Sequence, residues 1–209
     1  MAMTLTQILK DPNSFFEEKI KSEVEFKTPL LIMIFIGVLA AISATVMTQS
    51  IMSAMPEEMA MFGIIGLVAA IAGAFIGVFI TWVIYTIIFY LLSSVFGGEG
   101  DFKRTLEFVA YGFIPTIINS ITSIYVISKI FSTIDMTTVD PIAINETLLA
   151  DPTMQMITVV GIIINLWSAN IWRYGLVHAR NMTVKNATIA VMIPIGISIL
   201  FNLITLLGI

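Results

Sequence analysis

No cysteine occurs among the 209 residues. Disulfides, thiolate nucleophiles and sulfur-ligated metals are therefore excluded. Charge is scarce as well: 11% of residues are Asp, Glu, Lys or Arg, against about 25% in soluble domains. The net charge of −4 argues against a nucleic-acid partner, which would need a basic surface. The single histidine, His178, falls at the cytoplasmic end of span four, where it is expected to cap the helix or meet headgroups before it catalyses. The chain holds no H-E-x-x-H, no G-x-S-x-G and no P-loop lysine after its glycines. Nothing therefore points to a catalytic site, a metal or a cofactor. The first 27 residues are polar and lack a short apolar core with a cleavage site, so no signal peptide is expected.

Apolar sequence is what the chain has in abundance: 58% of residues and a mean hydropathy of +0.99. Several runs reach the roughly 18–20 residues that cross a bilayer. The fold class this predicts is all-α, a polytopic membrane bundle of five transmembrane helices with an amphipathic surface helix at the N-terminus. Two regions follow, a cytoplasmic segment over 1–28 and a membrane domain over 29–209. The spans are placed at 29–48, 59–96, 102–132, 153–176 and 187–208. The second run is too long for one perpendicular crossing. At 1.5 Å per residue it would reach roughly 55 Å against a hydrocarbon core of about 30 Å. Splitting it at Gly73–Gly77 would leave two marginal halves, so one long, tilted helix is the better fit.

Lysine and arginine placement supports that count. With an inside N-terminus, Lys10, Lys19, Lys21, Lys27, Lys103, Arg104, Arg173, Arg180 and Lys185 all fall on the inner side. Only Lys129 falls near the outer face, where Glu57, Glu58, Asp135, Asp140, Glu146 and Asp151 collect. Those acids read as a solvated face before they read as a weak divalent-cation site. Asn145-Glu146-Thr147 is a sequon on the same side.

Three Asp-Pro pairs, at 11–12, 140–141 and 151–152, each suit a helix start. After the first comes "DPNSFFEEKIKSEVEFK", expected to be a helix along the cytoplasmic surface. Phe15 and Phe16 would enter the membrane interface, or else pack against the bundle. Gly97 and Gly98 are expected to end span two, and Asp101 to cap span three.

Small residues at Gly63, Gly66, Ala70, Gly73 and Gly77 share one helix face. Without water to drive association, membrane helices gain contact where small residues let backbones approach. The stripe predicts close packing within the bundle, and a homodimer face as the second choice. Span three carries Pro115, where a kink is expected, and Glu107, a carboxylate too deep to stay unpaired. Arg173 in span four is the matching cation, and the two are expected to pair. Asn119, Asn165 and Asn170 are candidates for a polar interior of interhelical hydrogen bonds. The expected partner-facing or membrane-facing surface is made of Phe15, Phe16, Lys103, Arg104 and Arg180.

The order of these features resembles the Yip family of Ypt/Rab-interacting membrane proteins, in its prokaryotic branch. The resemblance runs from "DPNSFF" through "TPLLIMIFIGVL" and "GGEGDFKRTLEFVAYGFIP" to "LWSANIWRYGLVHARNMTVKNATIAVMIP". Trp167, Gly175, Asn186, Ala187 and Ala190 look like that family's pattern. It implies a five-span topology and carries over no catalytic residue. Eukaryotic members associate with Rab-type GTPases and with one another in vesicle traffic and membrane shaping. This chain departs from them: the Asp-Leu-Tyr-Gly-Pro motif is absent and the segment before span one is short.

The function expected is a non-enzymatic membrane scaffold or adaptor of the Yip type in a prokaryotic plasma membrane. Its partners would be the lipid bilayer, an unidentified cytoplasmic protein and, as an option, further copies of itself. The competing expectation is a transporter or channel for an ion, lipid or small solute, working through Glu107, Arg173 and the asparagines.

Overall fold

The computed structural model describes residues 5–52, 60–133 and 151–207. The Asp140-Pro141 pair, the sequon and all the outer acids except Asp151 lie outside the described residues. Two short helices open the chain, α1 (Leu5–Lys10) and α2 (Pro12–Lys19). Asp11 caps α2, accepting from the Ser14 amide at 3.2 Å. Hydrogen bonding from the Ser14 side chain and from this amide holds its carboxyl below the usual carboxylate range. Pro12 supplies a first-turn residue that needs no hydrogen-bond partner for its nitrogen.

Two long helices follow, α3 (Lys27–Met52) and α4 (Ala60–Val95). They pack along one another. At Gly37 the approach is close enough that a Cβ would lie 2.9 Å from the Phe75 ring. Helix α4 is continuous for 36 residues, or about 54 Å, and does not break at Gly73–Gly77. It ends where Gly97 turns to φ +78°. The Gly98 amide then donates to Ser93 O and the Gly97 amide to Ser94 O. This paired closure satisfies the last carbonyls and needs a left-handed residue at Gly97.

The third run is broken. Helix α5 (Phe102–Tyr111) and helix α6 (Thr116–Thr133) meet at a bend of 46°. Pro115 sits in the break with no N–H to give. Across the break the backbone bonds tighten to i→i−3, from Gly112 to Val109 through Ile118 to Pro115. Two indoles hold α5 in place. Trp82 of α4 donates to Leu106 O at 2.9 Å, and Trp172 donates to Val109 O at 2.8 Å. A Cβ on Gly112 would lie 2.1 Å from the Trp172 indole nitrogen. Gly112→Ala is therefore expected to displace the ring and cost about 1–3 kcal/mol through overpacking. Thermal unfolding in detergent measures this, and wild-type stability in the variant would contradict it.

The last two helices are α7 (Pro152–Ala179) and α8 (Val184–Leu207). Asp151 caps α7, accepting from Thr153 N at 2.7 Å and Met154 N at 3.3 Å. Helix α7 closes through Asn181 at φ +48°, with Met182 N donating to Val177 O. Thr183 starts α8, its hydroxyl accepting from Asn186 N.

Helices α3, α4, α7 and α8 are long and apolar enough to cross a membrane, and the bent pair α5–α6 passes the same test when its two halves are taken together, which gives four or five candidate spans. Large apolar side chains such as Leu31, Ile64, Val68, Leu91 and Phe201 point outward. A bilayer accepts such a surface as water would not. The tight core sits at one end, around Phe16, Phe89, Phe108, Tyr111, Trp172 and Leu176. That end gathers α2, the start of α3, the α4–α5 turn, and the α7–α8 turn.

Candidate functional site

Glu107 lies at the centre of this end, with none of its side chain exposed. A buried carboxylate must be paired and hydrogen-bonded to stay charged. Arg104, one turn earlier on α5, donates from Nη1 to Oε2 at 2.7 Å. Lys19 of α2 places Nζ 3.3 Å from Oε1. That second contact is an ion pair outside good hydrogen-bond alignment, since Oε1 has no aligned donor. Lys19 also reaches Glu25 Oε2 at 3.2 Å, and Arg104 Nη2 donates to Ser22 O. Two cations and two carboxylates thus tie the segment 19–25 onto α5. Glu25 is half exposed, so its share is small.

The expected partner of Glu107 was Arg173, and the structure corrects this. Arg173 and Gly175 are two residues apart on α7, hence about 200° apart around it. Gly175 faces Phe16 and Phe108, beside the Glu107 cluster. Arg173 therefore points to the other side, toward α8. Lys19 takes its place because α2 folds back under the bundle.

Phe15 and Phe16 require a correction too. Of the two environments the sequence allows them, the membrane interface or the bundle, they take the bundle and are not a surface, at 4% and 0% exposed. Phe16 lies 4.7 Å from the Phe108 ring and Phe15 5.2 Å from Tyr111, centroid to centroid. Helix α2 therefore packs against α5 and α7, the alternative weighed from the sequence. His178 adds a tie, its Nε2 lying 3.0 Å from Asn13 Oδ1. An amide oxygen only accepts, so the imidazole donates there.

Arg180 is likewise no surface residue, at 3% exposure. Its guanidinium donates to Ser93 Oγ at 3.0 Å, Ser94 Oγ at 2.7 Å, Gly98 O at 2.9 Å, and Gly100 O. It stands over the Tyr90 ring at 4.1 Å, a cation–π geometry. The Arg180 carbonyl accepts from Glu99 N at 2.8 Å. Gly100, at φ +154°, passes so near α7 that a Cβ would meet Ala179 O at 2.2 Å. Asn186 closes the turn by donating to Phe96 O at 3.0 Å. Segment 97–101 is thus a tied connector. Asp101 starts α5 through its backbone, its carbonyl accepting from Thr105 N and Oγ1. Its side chain makes no cap bond, contrary to expectation.

The Yip1 domain family matches residues 6–206, nearly the whole chain. The chain belongs to the Yip1 domain family. It is also similar to an uncharacterized protein of Methanocaldococcus jannaschii, 34% identical over 122 residues, covering 58% of this chain and 86% of that protein. No solved structure gives a significant match. The Yip1 match brings no catalytic family with it. Several residues that carried the Yip resemblance have structural work at this end. Gly175 admits the Phe16 ring, Asn186 holds the α4–α5 turn, and Ala187 and Ala190 are wholly buried between α8 and its neighbours.

The remaining expected residues of this Yip1 protein scatter. Lys103 is exposed and Arg104 mostly buried. Asn119 lies in a cleft of about 390 Å³ between α3 and α6, with Ser43, Ser120 and Ser123. Its buried Oδ1 has no hydrogen-bond partner among the described residues. Asn165 is half-buried on α7, and Asn170 lines a separate groove beside Arg173. The asparagines therefore do not converge on one interior. The first choice for the glycine stripe, close packing within the bundle, is corrected as well. Gly63 packs on Met52, but a Cβ on Gly66, Gly73 or Gly77 would meet nothing within 4 Å among the described residues. Helix α4 packs on α3 through other positions, with Gly66 and Gly73 exposed and Gly77 half-buried.

Lys19, Trp82, Trp172 and the hydrogen-bonding role of Arg180 were missed from sequence. The available signal was chemical. A tryptophan N–H and an arginine inside an apolar chain each require an acceptor, but nothing in the sequence says which carbonyls would be free.

Proposed function

We propose that this Yip1 protein is a non-enzymatic membrane scaffold whose charged end faces the cytoplasm and recruits partners there. The observation that carries the reading is the closure of the Glu107 cluster. The deepest carboxylate is spent on Arg104 and Lys19 inside the protein and is wholly buried. A proton or ion carrier would need that group to meet water and exchange partners. Around the cluster, the tied α2 segment and the α4–α5 turn form a fixed platform. Its outer face carries Glu17, Lys21, Glu23, Glu99, Asp101 and Lys103, all exposed. Mixed charge on a rigid support suits a protein partner, or a second copy, bound by electrostatic complementarity.

Photocrosslinkers placed at Lys21 and Lys103 in native membranes test this. A discrete protein adduct, or a dimer of this chain, is the expected product. No adduct from either position would remove the support for a scaffold.

The cleft holding Asn119 supports a second reading, transport of a small hydrogen-bonding solute. It predicts flux in reconstituted liposomes that Asn119→Leu abolishes. Scaffold function predicts no flux in either protein.

A further inference from the structure

Arg173 is a cation in a membrane span that the Glu107 cluster leaves unused. Among the described residues it forms no ion pair. Its one hydrogen bond runs from Nη2 to Tyr174 Oη at 3.0 Å, and its guanidinium lies over the Tyr174 ring at 4.5 Å. Its Nε–H is buried and has no acceptor among the described residues. The side chain lines a groove of about 120 Å³ between α7 and α8, with Asn170, Thr188 and Val191 on its walls. Leu166 and Met192 form the rim and are 45% and 39% exposed, so the groove opens sideways toward lipid.

Depth identifies what could fill it. Helix α7 has 28 residues, about 42 Å, which matches the roughly 40–45 Å of a bilayer with its headgroups. Arg173 stands six residues before the end of α7 at Ala179, about 9 Å in. Thr188 stands four residues after the start of α8, about 6 Å in. This is the level at the base of the headgroups. Lys185, exposed and one turn nearer the membrane surface on α8, adds a second cation on the approach. The Thr188 hydroxyl already donates to Val184 O, so the free donors are the Arg173 N–H groups other than the one on Tyr174, the buried Nε–H among them, and the Asn170 amide. Guanidinium forks bind phosphate oxygens with charge-assisted hydrogen bonds. The apolar rim suits acyl chains.

We infer that the α7–α8 groove is a binding site for the phosphodiester of an anionic lipid, held by Arg173 with Asn170. The site is independent of the scaffold reading, because it lies on the opposite face of α7 from the Glu107 cluster.

Native mass spectrometry of the full chain, released from micelles holding equal phosphatidylglycerol and phosphatidylcholine, tests it. Wild type is expected to retain one phosphatidylglycerol in preference. Arg173→Gln is expected to weaken that preference about tenfold, which corresponds to about 1.4 kcal/mol. Lys129→Gln, an exposed cation at the other end of the bundle, is expected to change nothing. Should Arg173→Gln fail to fold, Thr188→Phe fills the groove with Arg173 intact and is expected to lose the lipid equally. Wild-type preference in either folded variant overturns the site. Millimolar inorganic phosphate distinguishes the sources: if it displaces the phosphatidylglycerol, the ligand is a soluble phosphate and the lipid assignment fails. If the lipid stays bound, the lipid assignment stands.

Discussion

Arg180→Met is expected to destabilise the charged end by about 3 kcal/mol, with unpaired carbonyls as the cause. The methionine fills much of the volume but donates nothing. Gly98 O and Gly100 O lose their guanidinium donors, and Ser93 Oγ and Ser94 Oγ lose a proton they now accept. A buried acceptor left unmet costs about 1–3 kcal/mol. Gly100 is exposed, so water can replace its donor and the sum falls short of four full losses. The two serine hydroxyls keep their own bonds to Tyr90 O. Arg180→Lys keeps the charge and gives up the planar fork, so it should recover less than half the loss. Thermal unfolding in a fixed detergent ranks the three proteins. A Met variant as stable as wild type would show that the fork is not what holds the turn.

Glu107→Gln should cost about 3–5 kcal/mol, because it breaks a buried charge cluster from one side. Lys19 would then keep only Glu25, which is half exposed, and Arg104 only the Ser22 carbonyl. Repulsion between the cations would be relieved by releasing residues 12–26 from α5. Hydrogen exchange over that segment is the direct measurement, since local opening raises exchange there before the bundle unfolds. The triple change Glu107→Leu, Lys19→Met, Arg104→Leu removes all three buried charges together and is expected to recover most of the stability. Protection of residues 12–26 unchanged in Glu107→Gln would rule out the cluster as the tie.

These two variants bear on how much of the site could be read from sequence. That Glu107 needs a cation followed from its depth in an apolar run. Which cation did not, because the answer depends on which way α2 turns. Lys19 belongs to a segment whose phenylalanines fit two environments equally well, a lipid interface or a protein pocket. Packing against Phe108 and Gly175 chose the pocket, and with it the salt bridge. Arg173 was the natural partner by depth alone. Depth along a helix is visible in sequence, but the direction of a side chain around it is set by its neighbours. The expectation that the glycine stripe packs within the bundle failed for the same reason. Its spacing fixes one face of α4, but not whether α3 lies against that face.

What the sequence determined by itself is the medium and the all-helical, many-span architecture, with four or five candidate crossings. Run lengths, the 11% charge and the placement of lysine and arginine depend only on transfer from water to hydrocarbon, which each segment feels alone. Helix ends were also legible where one residue suffices, as at Asp11, Asp151 and Gly97. Tertiary structure decided the partners of Glu107 and Arg180, the docking of Phe15 and Phe16, and the groove beside Arg173. Each of these is a contact between segments distant in sequence. In a bundle whose outer and inner faces are both apolar, hydropathy does not say which face meets a neighbour.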